Sequence, residues 1–312
     1  MYTDGLDIQD IDLDKYDTLA GQTVTFNGTI NPACILMVSM SLLFYKYVDA
    51  TQEYVLLNCK AFSPCAIIGT FQSPEPADYP RAAAIAYARE GADVAINYLP
   101  AEEPDAQEVI ALIKAEGRKA IAIPGDLRDE AFCKRLVEEA LHGLGGLDII
   151  VNNTGRQQAH ASILDISTEQ FDWTMKTNIY APFWIIKAAL PYLQPGSVII
   201  GSTSEQATDP SEDLYDYAQT KAATTNYVRS LAKQLARKGI RVNGVAPGPI
   251  WTPLQVSGGA TQEKLKGFGG DTPLGRPGQP VELGSIYVQL AASDASYATG
   301  QIYGSAGGKG MP

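Results

Sequence analysis

The sequence predicts an α/β protein with a doubly wound parallel sheet, built as a single main domain with an atypical N-terminal region. From residue 81 onward, short apolar segments alternate with amphipathic helical segments, and several helical segments end on glycine, as helix C-termini prefer. The apolar segments are continuous, which is typical of strands covered by helices on both faces. In such a sheet, ligands bind at the carboxyl ends of the strands.

The predicted elements follow one another regularly along the chain. Strands are predicted at 92–98, 119–125, 147–153, 197–202, 240–248 and 301–308. Helices are predicted at 81–91, 105–117, 129–145, 167–193 and 216–239. The segment CAIIGT, 65–70, is the best candidate for a first, central strand, and 71–80 would then form a loop.

Bulk properties exclude several classes of function. The chain has 312 residues and a net charge of −11, which argues against a nucleic-acid partner. Its longest apolar run, 33–45, is shorter than the roughly 20 residues that span a membrane, so we expect no membrane segment and a cytoplasmic location. His142 and His160 have no metal-ligand spacing to cysteine or glutamate, so we expect no metal site.

One group of side chains points to proton-transfer chemistry. In the segment YAQTK, Tyr217 and Lys221 lie four residues apart on a predicted helix and share one face. An ammonium group beside a phenol favours the phenolate, which predicts a lowered pKa for Tyr217. An isolated pair of this spacing is ordinarily a solvated helix face. Here, however, Ser204 lies 13 residues upstream at the carboxyl end of a predicted strand, and Asn178 lies within the long helix 167–193.

Together with NNTG (152–155) and PGPIWT (247–252) at two further strand ends, these residues resemble the short-chain dehydrogenase/reductase family. The resemblance covers about residues 81–308. In detail the chain is similar to the subgroup with a NYLP stretch followed by acidic residues, here NYLPAEE. The resemblance implies a Rossmann-like fold and hydride transfer between NAD(P)(H) and a small carbonyl or alcohol substrate.

The resemblance also implies roles for the four catalytic candidates. Tyr217 would be the general acid in carbonyl reduction and the base in the reverse direction. Lys221 would lower the pKa of Tyr217 and bind the nicotinamide ribose, and Ser204 would hold the substrate oxygen. Asn178 would anchor a water that connects Lys221 with solvent.

The same resemblance implies a set of cofactor contacts. They are Asn97, Asp126, Leu127, Asn152, Gly155, Tyr217, Lys221, Pro247, Gly248, Ile250 and Thr252. Asp126 could instead be a helix cap. The chain departs from the family pattern at Thr154 and Ala306, where the family has smaller and acidic residues respectively. The second strand ends in Asn97, Tyr98 and Leu99, with neither an acid nor a base, so NADP is slightly favoured over NAD.

The glycine-rich turn that should precede the first helix is missing. The positions expected to hold glycine are occupied by Pro74, Asp78 and Pro80. Glycines there allow backbone to approach the pyrophosphate, whereas proline has no N–H to donate. Cofactor binding should therefore be weak.

Three explanations are open for this departure. The protein binds its cofactor through the remaining contacts, or it is an inactive relative, or residues 1–80 are not the natural N-terminus. Our hypothesis is the third, because family-like sequence stops at Arg81 and residues 1–80 carry ten acidic and three basic residues. The predicted organisation is therefore an atypical region, 1–80, followed by a dehydrogenase-like domain, 81–312. The alternative to an active enzyme is an impaired protein or faulty gene product that cannot bind cofactor tightly.

Substrate identity is not readable from the sequence. The glycine-rich segment 253–270 occupies the place of a mobile lid in the family, although a surface loop explains it equally well. Gln206 and Trp251 could shape the pocket. The apolar helix 171–190 suggests a homo-oligomer, a tetramer or a dimer, in which such helices pair.

Overall fold

The structure, a computed structural model, describes residues 66–70 and 78–309. The predicted N-terminal region 1–80 lies outside the described residues except for 66–70 and 78–80, of which only the backbone is described. Across the described ranges, no helix has both the length and the apolar character needed to cross a bilayer.

Seven parallel strands form one sheet in the order β3-β2-β1-β4-β5-β6-β7. They are β1 (Ala66–Thr70), β2 (Asp93–Tyr98), β3 (Ala120–Pro124), β4 (Ile149–Asn152), β5 (Val198–Ser202), β6 (Arg241–Pro247) and β7 (Ile302–Ser305). The strand order reverses between β1 and β4, which is the switch point at which doubly wound sheets open a ligand crevice. The predicted doubly wound, Rossmann-like fold is confirmed.

Helices cover both faces of this sheet. They are α1 (Asp78–Arg89), α2 (Glu103–Ala115), α3 (Glu130–Leu144), α4 (Thr168–Met175), α5 (Ala181–Ala189), α6 (Tyr215–Leu235), α7 (Leu254–Ser257), α8 (Gln262–Gly267) and α9 (Val281–Ala291). Short 3-10 turns lie at Pro100–Glu102, Ile163–Asp165, Glu205–Ala207, Ala236–Lys238 and Ser293–Ala295.

The core has two halves, one on each face of the sheet. Helices α1, α2 and α9 enclose one half, and α3, α5 and α6 enclose the other. Close packing of α1 on α9 depends on small residues, because a β-carbon placed on Gly284 would lie 3.1 Å from Ala86 Cβ. On the same face, the buried Tyr87 hydroxyl donates to the Tyr287 carbonyl at 2.8 Å. This polar bond joins α1 to α9.

The candidate first strand occupies the centre of the sheet. β1 pairs with both β2 and β4, with Ile68 opposite Ala95 on one side and Ile150 on the other. The predicted loop 71–80 is wrong at its end, because α1 already begins at Asp78. Pro80 is the third residue of that helix, where a missing N–H leaves no intrahelical bond unmade.

The long helix predicted at 167–193 is interrupted. A π-helical turn, Lys176–Tyr180, joins α4 to α5, so Asn178 lies in this turn and not in the middle of an α-helix. Pro182 gives a physical reason, because it has no N–H to donate to the Asn178 carbonyl four residues earlier. The Ala181 N–H bonds instead to the Lys176 carbonyl, five residues back, as in a π-helix.

Candidate active site

A cleft of about 490 Å³ lies at the carboxyl ends of β5 and β6. The start of α6 and the segment that contains α7 and α8 complete its walls. Nine of the residues singled out in the sequence line it: Gly155, Ser204, Gln206, Tyr217, Lys221, Pro247, Gly248, Ile250 and Thr252. Side chains from distant parts of the sequence therefore meet at the predicted edge of the sheet.

Tyr217, Ser204 and Lys221 lie together in this cleft. Tyr217 is buried in the first turn of α6, and both Tyr217 and Ser204 line the cleft. The Lys221 Nζ lies 5.4 Å from the centre of the Tyr217 ring and donates to the Ser202 carbonyl at 2.9 Å. The i, i+4 spacing on α6 sets the tyrosine and the lysine on one helix face, as the sequence predicts.

Burial dominates the electrostatics of this pair. It raises the pKa of Tyr217 to about 12; the nearby Ser204 hydroxyl opposes the rise, and the negative charge of Glu205 adds to it. Burial also lowers the pKa of Lys221 to about 8. The predicted lowering of the pKa of Tyr217 is therefore wrong for this structure, because the loss of solvation of the phenolate dominates and raises the pKa.

Asn178 does not line the cleft but is anchored beside it. Its Oδ1 accepts the Arg156 backbone N–H at 2.8 Å. Its Nδ2 donates to the Arg156 carbonyl and to Thr220 Oγ1, each at 2.9 Å. Thr220 in turn donates to the Tyr217 carbonyl at 2.7 Å. Asn178 therefore acts on the first turns of α6 through Thr220.

Sequence reasoning missed a buried carboxylate next to Tyr217. Asp216 is fully buried, and its Oδ2 accepts the Thr174 hydroxyl at 2.6 Å. Thr174 also accepts a bond from the Arg156 guanidinium at 3.2 Å. That guanidinium stacks on the Trp173 ring at 4.3 Å. Nothing local in the sequence marks Asp216 as a buried aspartate, whose charge requires polar partners such as Thr174.

Four predicted cofactor contacts lie outside the cleft, toward β2, β3 and β4. Asn97 is buried at the end of β2 and donates to the Ile123 and Gly125 carbonyls at 2.9 and 3.1 Å. Asn152 is buried at the end of β4, and the Leu127 side chain is fully buried in the core.

Asp126 forms an ion pair with Arg128. Burial alone would raise the pKa of Asp126, but hydrogen bonds from the Arg128 side chain and backbone hold it below its ordinary value. Asp126 is not the cap of α3. Asp129 takes that place by accepting the Ala131 N–H at 2.9 Å.

Buried polar atoms at the strand ends suit a dinucleotide. Asn97 Oδ1 at the end of β2 and Thr154 Oγ1 just beyond β4 are buried and have no hydrogen-bond partner among the described residues. Such atoms call for a polar partner, and the two positions lie on either side of β1, at the switch point. The start of α1 fits the cofactor less well, because Pro80 lacks one of the N–H groups that would bind the diphosphate there. The strand ends therefore fit a nicotinamide dinucleotide, with fewer donors for its diphosphate.

The segment 253–270 is folded against the cleft. It contains α7 and α8, and the Ala159 N–H donates to the Gly258 carbonyl at 2.7 Å. The Lys264 ammonium pairs with Asp213 at 2.6 Å, which joins α8 to the loop before α6. Trp251 does not line the cleft; it is exposed and contacts the Phe268 ring.

Metal ligands are not assembled in the part of the chain that the structure describes. No group of three His, Cys, Asp or Glu side chains there could hold an ion. Glu205, which follows Ser204 directly, is a further residue of the cleft that sequence reasoning missed. Burial raises the pKa of its carboxyl, and the Lys309 ammonium opposes that rise.

The family model that matches this sequence and two of its relatives are named as oxidoreductases. A family model described as enoyl-(acyl carrier protein) reductase matches residues 80–309. An uncharacterized oxidoreductase of Bacillus subtilis, YhxD, is 58% identical over 231 residues, covering 73% of this chain and 77% of the relative. NADPH-dependent aldehyde reductase 1 of Arabidopsis thaliana is 42% identical over 234 residues, covering 73% and 81%.

A solved structure of a short-chain dehydrogenase also matches the fold of this chain. A short-chain dehydrogenase from Burkholderia cenocepacia in complex with NADP superposes with a TM-score of 0.72 at 28% identity. The superposition covers 78% of this chain and 97% of that protein. The matched residues 80–309 begin where family-like sequence was predicted to begin, so the predicted extent of the resemblance is confirmed.

Proposed function

The chain belongs to the short-chain dehydrogenase/reductase family of oxidoreductases, and from this premise we propose that it transfers hydride between NADP(H) and a small carbonyl or alcohol substrate, with Tyr217 as the acid or base. The observation that carries the proposal is the burial of Tyr217 in the same cleft as Ser204, with the Lys221 ammonium 5.4 Å from the centre of its ring. The catalytic domain is 81–312 in this proposal.

Each of the three side chains has a distinct task. With a pKa of about 12, Tyr217 is protonated at neutral pH and is therefore a donor for carbonyl reduction. The Ser204 hydroxyl holds the substrate oxygen within reach of the phenol. The Lys221 ammonium stabilises the phenolate that remains after proton transfer. The nicotinamide cofactor supplies or accepts the hydride when it is bound.

Two further residues hold in place the helix turn that carries the proton donor Tyr217. Asn178 and Thr220 hold the first turns of α6 through the bonds described above, and we assign them a positioning role. The water-mediated proton relay at Asn178 stays a prediction.

The proposed cofactor contacts divide into two groups along the strand ends. The nicotinamide half would be held by Asn152, Gly155, Pro247, Gly248, Ile250 and Thr252, with Tyr217 and Lys221. The adenosine half would meet Asn97, Asp126 and Leu127. This division follows the order of the strands, since β2 and β3 lie on the other side of β1 from the cleft.

NADP is the proposed cofactor in preference to NAD. The acids nearest the end of β2 are occupied, since Glu102 accepts the Leu99 N–H at 2.8 Å and Glu103 accepts the Tyr98 hydroxyl at 2.5 Å. No carboxylate is left at this strand end to select a ribose 2′-hydroxyl. The NADPH-dependent plant relative and the NADP-bound neighbour support this preference.

The test is an assay of NADPH and NADH oxidation with a panel of aldehydes and ketones. We expect oxidation that depends on the carbonyl compound, with a kcat/KM about tenfold higher for NADPH, a factor that corresponds to roughly 1.4 kcal/mol. Ser204→Ala should lose about 100-fold in kcat/KM, whereas Ser230→Ala, an exposed serine of α6, should keep the wild-type value. No carbonyl-dependent oxidation across the panel, by a protein that binds NADPH, would contradict the proposal.

A further inference from the structure

Glu205 brings a carboxyl group to the same edge of the cleft as Ser204. It is the first residue of the 3-10 turn Glu205–Ala207, which Ser204 caps by accepting the Gln206 N–H at 3.2 Å. Ser204 and Glu205 both line the cleft. If Ser204 holds the reacting oxygen, as proposed above, the carboxyl group of Glu205 lies beside the atoms attached to the reacting carbon.

The position of this carboxyl group is constrained by the end of the neighbouring strand β6. A β-carbon placed on Gly248 would lie 3.3 Å from Glu205 Oε2 and 2.6 Å from Ala306 Cα. The carboxyl group therefore rests against the glycine that follows β6. It is also near enough to Tyr217 for its charge to contribute to the raised pKa of the phenol.

The other charges of the cleft wall are largely occupied by protein groups. Lys264 pairs with Asp213 at 2.6 Å, and Lys309 pairs with Asp271 at 2.7 Å. Lys221 donates to the Ser202 carbonyl. The carboxyl group of Glu205, by contrast, forms no hydrogen bond and no ion pair within 4 Å among the described residues, and the Lys309 ammonium acts on it only from a greater distance. The negative charge of Glu205 can therefore interact directly with a substrate in the cleft.

The neutral polar groups of the cleft suit hydroxyl groups. Gln206 accepts the Ser211 N–H at 2.7 Å through Oε1, which orients its amide nitrogen as a donor. Gln157 makes one long bond, from Nε2 to the Leu254 carbonyl at 3.5 Å. Amide groups and a carboxylate can exchange hydrogen bonds with neutral hydroxyls, whereas an anion is repelled by the carboxylate, and the ammonium groups of Lys264 and Lys309 are already paired with other carboxylates.

We propose that Glu205 sets the charge preference of the cleft: carbonyl substrates with neutral hydroxyl groups beside the reacting carbon are accepted, and those with a carboxylate there are disfavoured. The effect is strong because two charges at a partly buried site interact about four times more strongly than in bulk water. This inference rests on the proposed function for the orientation of the substrate.

The experiment compares glyceraldehyde, a neutral hydroxyaldehyde, with glyoxylate, an anionic aldehyde, as substrates with NADPH. Glu205→Gln keeps the size of the side chain and removes its charge. The kcat/KM ratio of glyceraldehyde to glyoxylate should fall about tenfold in this variant, chiefly because glyoxylate improves. Glu138→Gln, which removes the same charge from an exposed position on α3, should leave the ratio unchanged.

A binding measurement tests the charge preference of the cleft without relying on catalytic turnover. Propane-1,2-diol and lactate, the neutral and anionic counterparts, are titrated by calorimetry into wild type and Glu205→Gln in the presence of NADP. Lactate affinity should rise about tenfold in the variant, with diol affinity within about twofold of wild type. Unchanged ratios in both measurements would overturn the role of Glu205. The expected binding shift without any carbonyl reduction would overturn the proposed reaction and leave the charge preference standing.

Discussion

Arg156 and Asn178 hold each other through two reciprocal hydrogen bonds. The Arg156 N–H donates to Asn178 Oδ1 at 2.8 Å, and Asn178 Nδ2 donates to the Arg156 carbonyl at 2.9 Å. Because Nδ2 also donates to Thr220, the loop after β4, the π-turn and the start of α6 are fixed to one side chain. The proton donor Tyr217 is positioned by this junction.

Removal of the Asn178 amide should therefore disturb both stability and turnover. Asn178→Ala leaves the half-buried Arg156 N–H without its acceptor, and we expect a loss of about 1–3 kcal/mol in unfolding free energy. The kcat should fall about tenfold or more, with a smaller change in KM. Urea denaturation and steady-state kinetics measure the two effects. Asn226→Ala, at an exposed position of α6, is the control; equal values for the two variants would count against the junction.

The buried Lys221 should make stability depend on pH. The pKa of Lys221 is about 8 in the folded protein, below its ordinary value of 10.5. Between pH 8 and 10.5 the unfolded chain therefore binds more protons at Lys221 than the folded protein does. Because of this difference, the stability of the wild-type protein rises with pH in this range. Lys221→Met lacks this contribution. The variant's stability relative to wild type should thus be highest below pH 8 and fall by about 2–3 kcal/mol toward pH 10.

The measurement is chemical denaturation of both proteins from pH 7 to 10. Lys233→Met, an exposed position on the same helix, should show a flat difference. A flat difference for Lys221→Met as well would mean that its ammonium is solvated in the folded protein.

Glycines introduced at positions 74, 78 and 80, before and within the first turn of α1, should strengthen cofactor binding. Pro74→Gly, Asp78→Gly and Pro80→Gly together add two N–H donors and remove a negative charge where the diphosphate arrives. We expect NADPH to bind the wild-type protein with a dissociation constant weaker than about 10 μM, and the triple variant to bind about tenfold more tightly.

Fluorescence titration measures both constants. Pro76→Gly, which lies between the expected glycine positions, should leave binding unchanged. Wild-type binding at low micromolar concentration or tighter would show that the missing turn does not limit affinity.

The exposed face of α5 predicts self-association. Phe183 is 58% exposed there, next to the half-exposed Tyr180. A homo-oligomer that buries this face, a dimer or a tetramer, should dissociate when Phe183→Glu places a charge in it. Light scattering after size exclusion gives the mass. Tyr297→Glu, an equally apolar exposed position elsewhere, should keep the wild-type mass; a monomeric wild type would end this prediction.

The strands were predictable because each is a continuous apolar run that ends in a turn. β1 could also be predicted, because AIIGT is an apolar segment with β-branched residues at the place where the sheet requires a central strand. Tyr217, Ser204 and Lys221 could be placed from spacing and strand ends. The π-turn could not, because it depends on how Pro182 is accommodated in three dimensions. Asp216 and Glu205 escaped notice because nothing local distinguishes a buried acid from an exposed one.

The direction of the Tyr217 pKa shift shows the same limit. Spacing reveals a neighbouring ammonium, but it does not reveal how completely the phenol is removed from water. The desolvation that dominates this pKa is a property of the folded cleft.

The central claim, that Tyr217 transfers the proton, is tested most directly by Tyr217→Phe, which removes one oxygen atom from a buried ring. With the best carbonyl substrate of the panel, the kcat for NADPH oxidation should fall about 1000-fold. The NADPH dissociation constant should stay within about threefold of wild type, and thermal unfolding should remain cooperative, so that the loss reports on chemistry. A variant that retains more than about a tenth of the wild-type kcat would contradict the assignment.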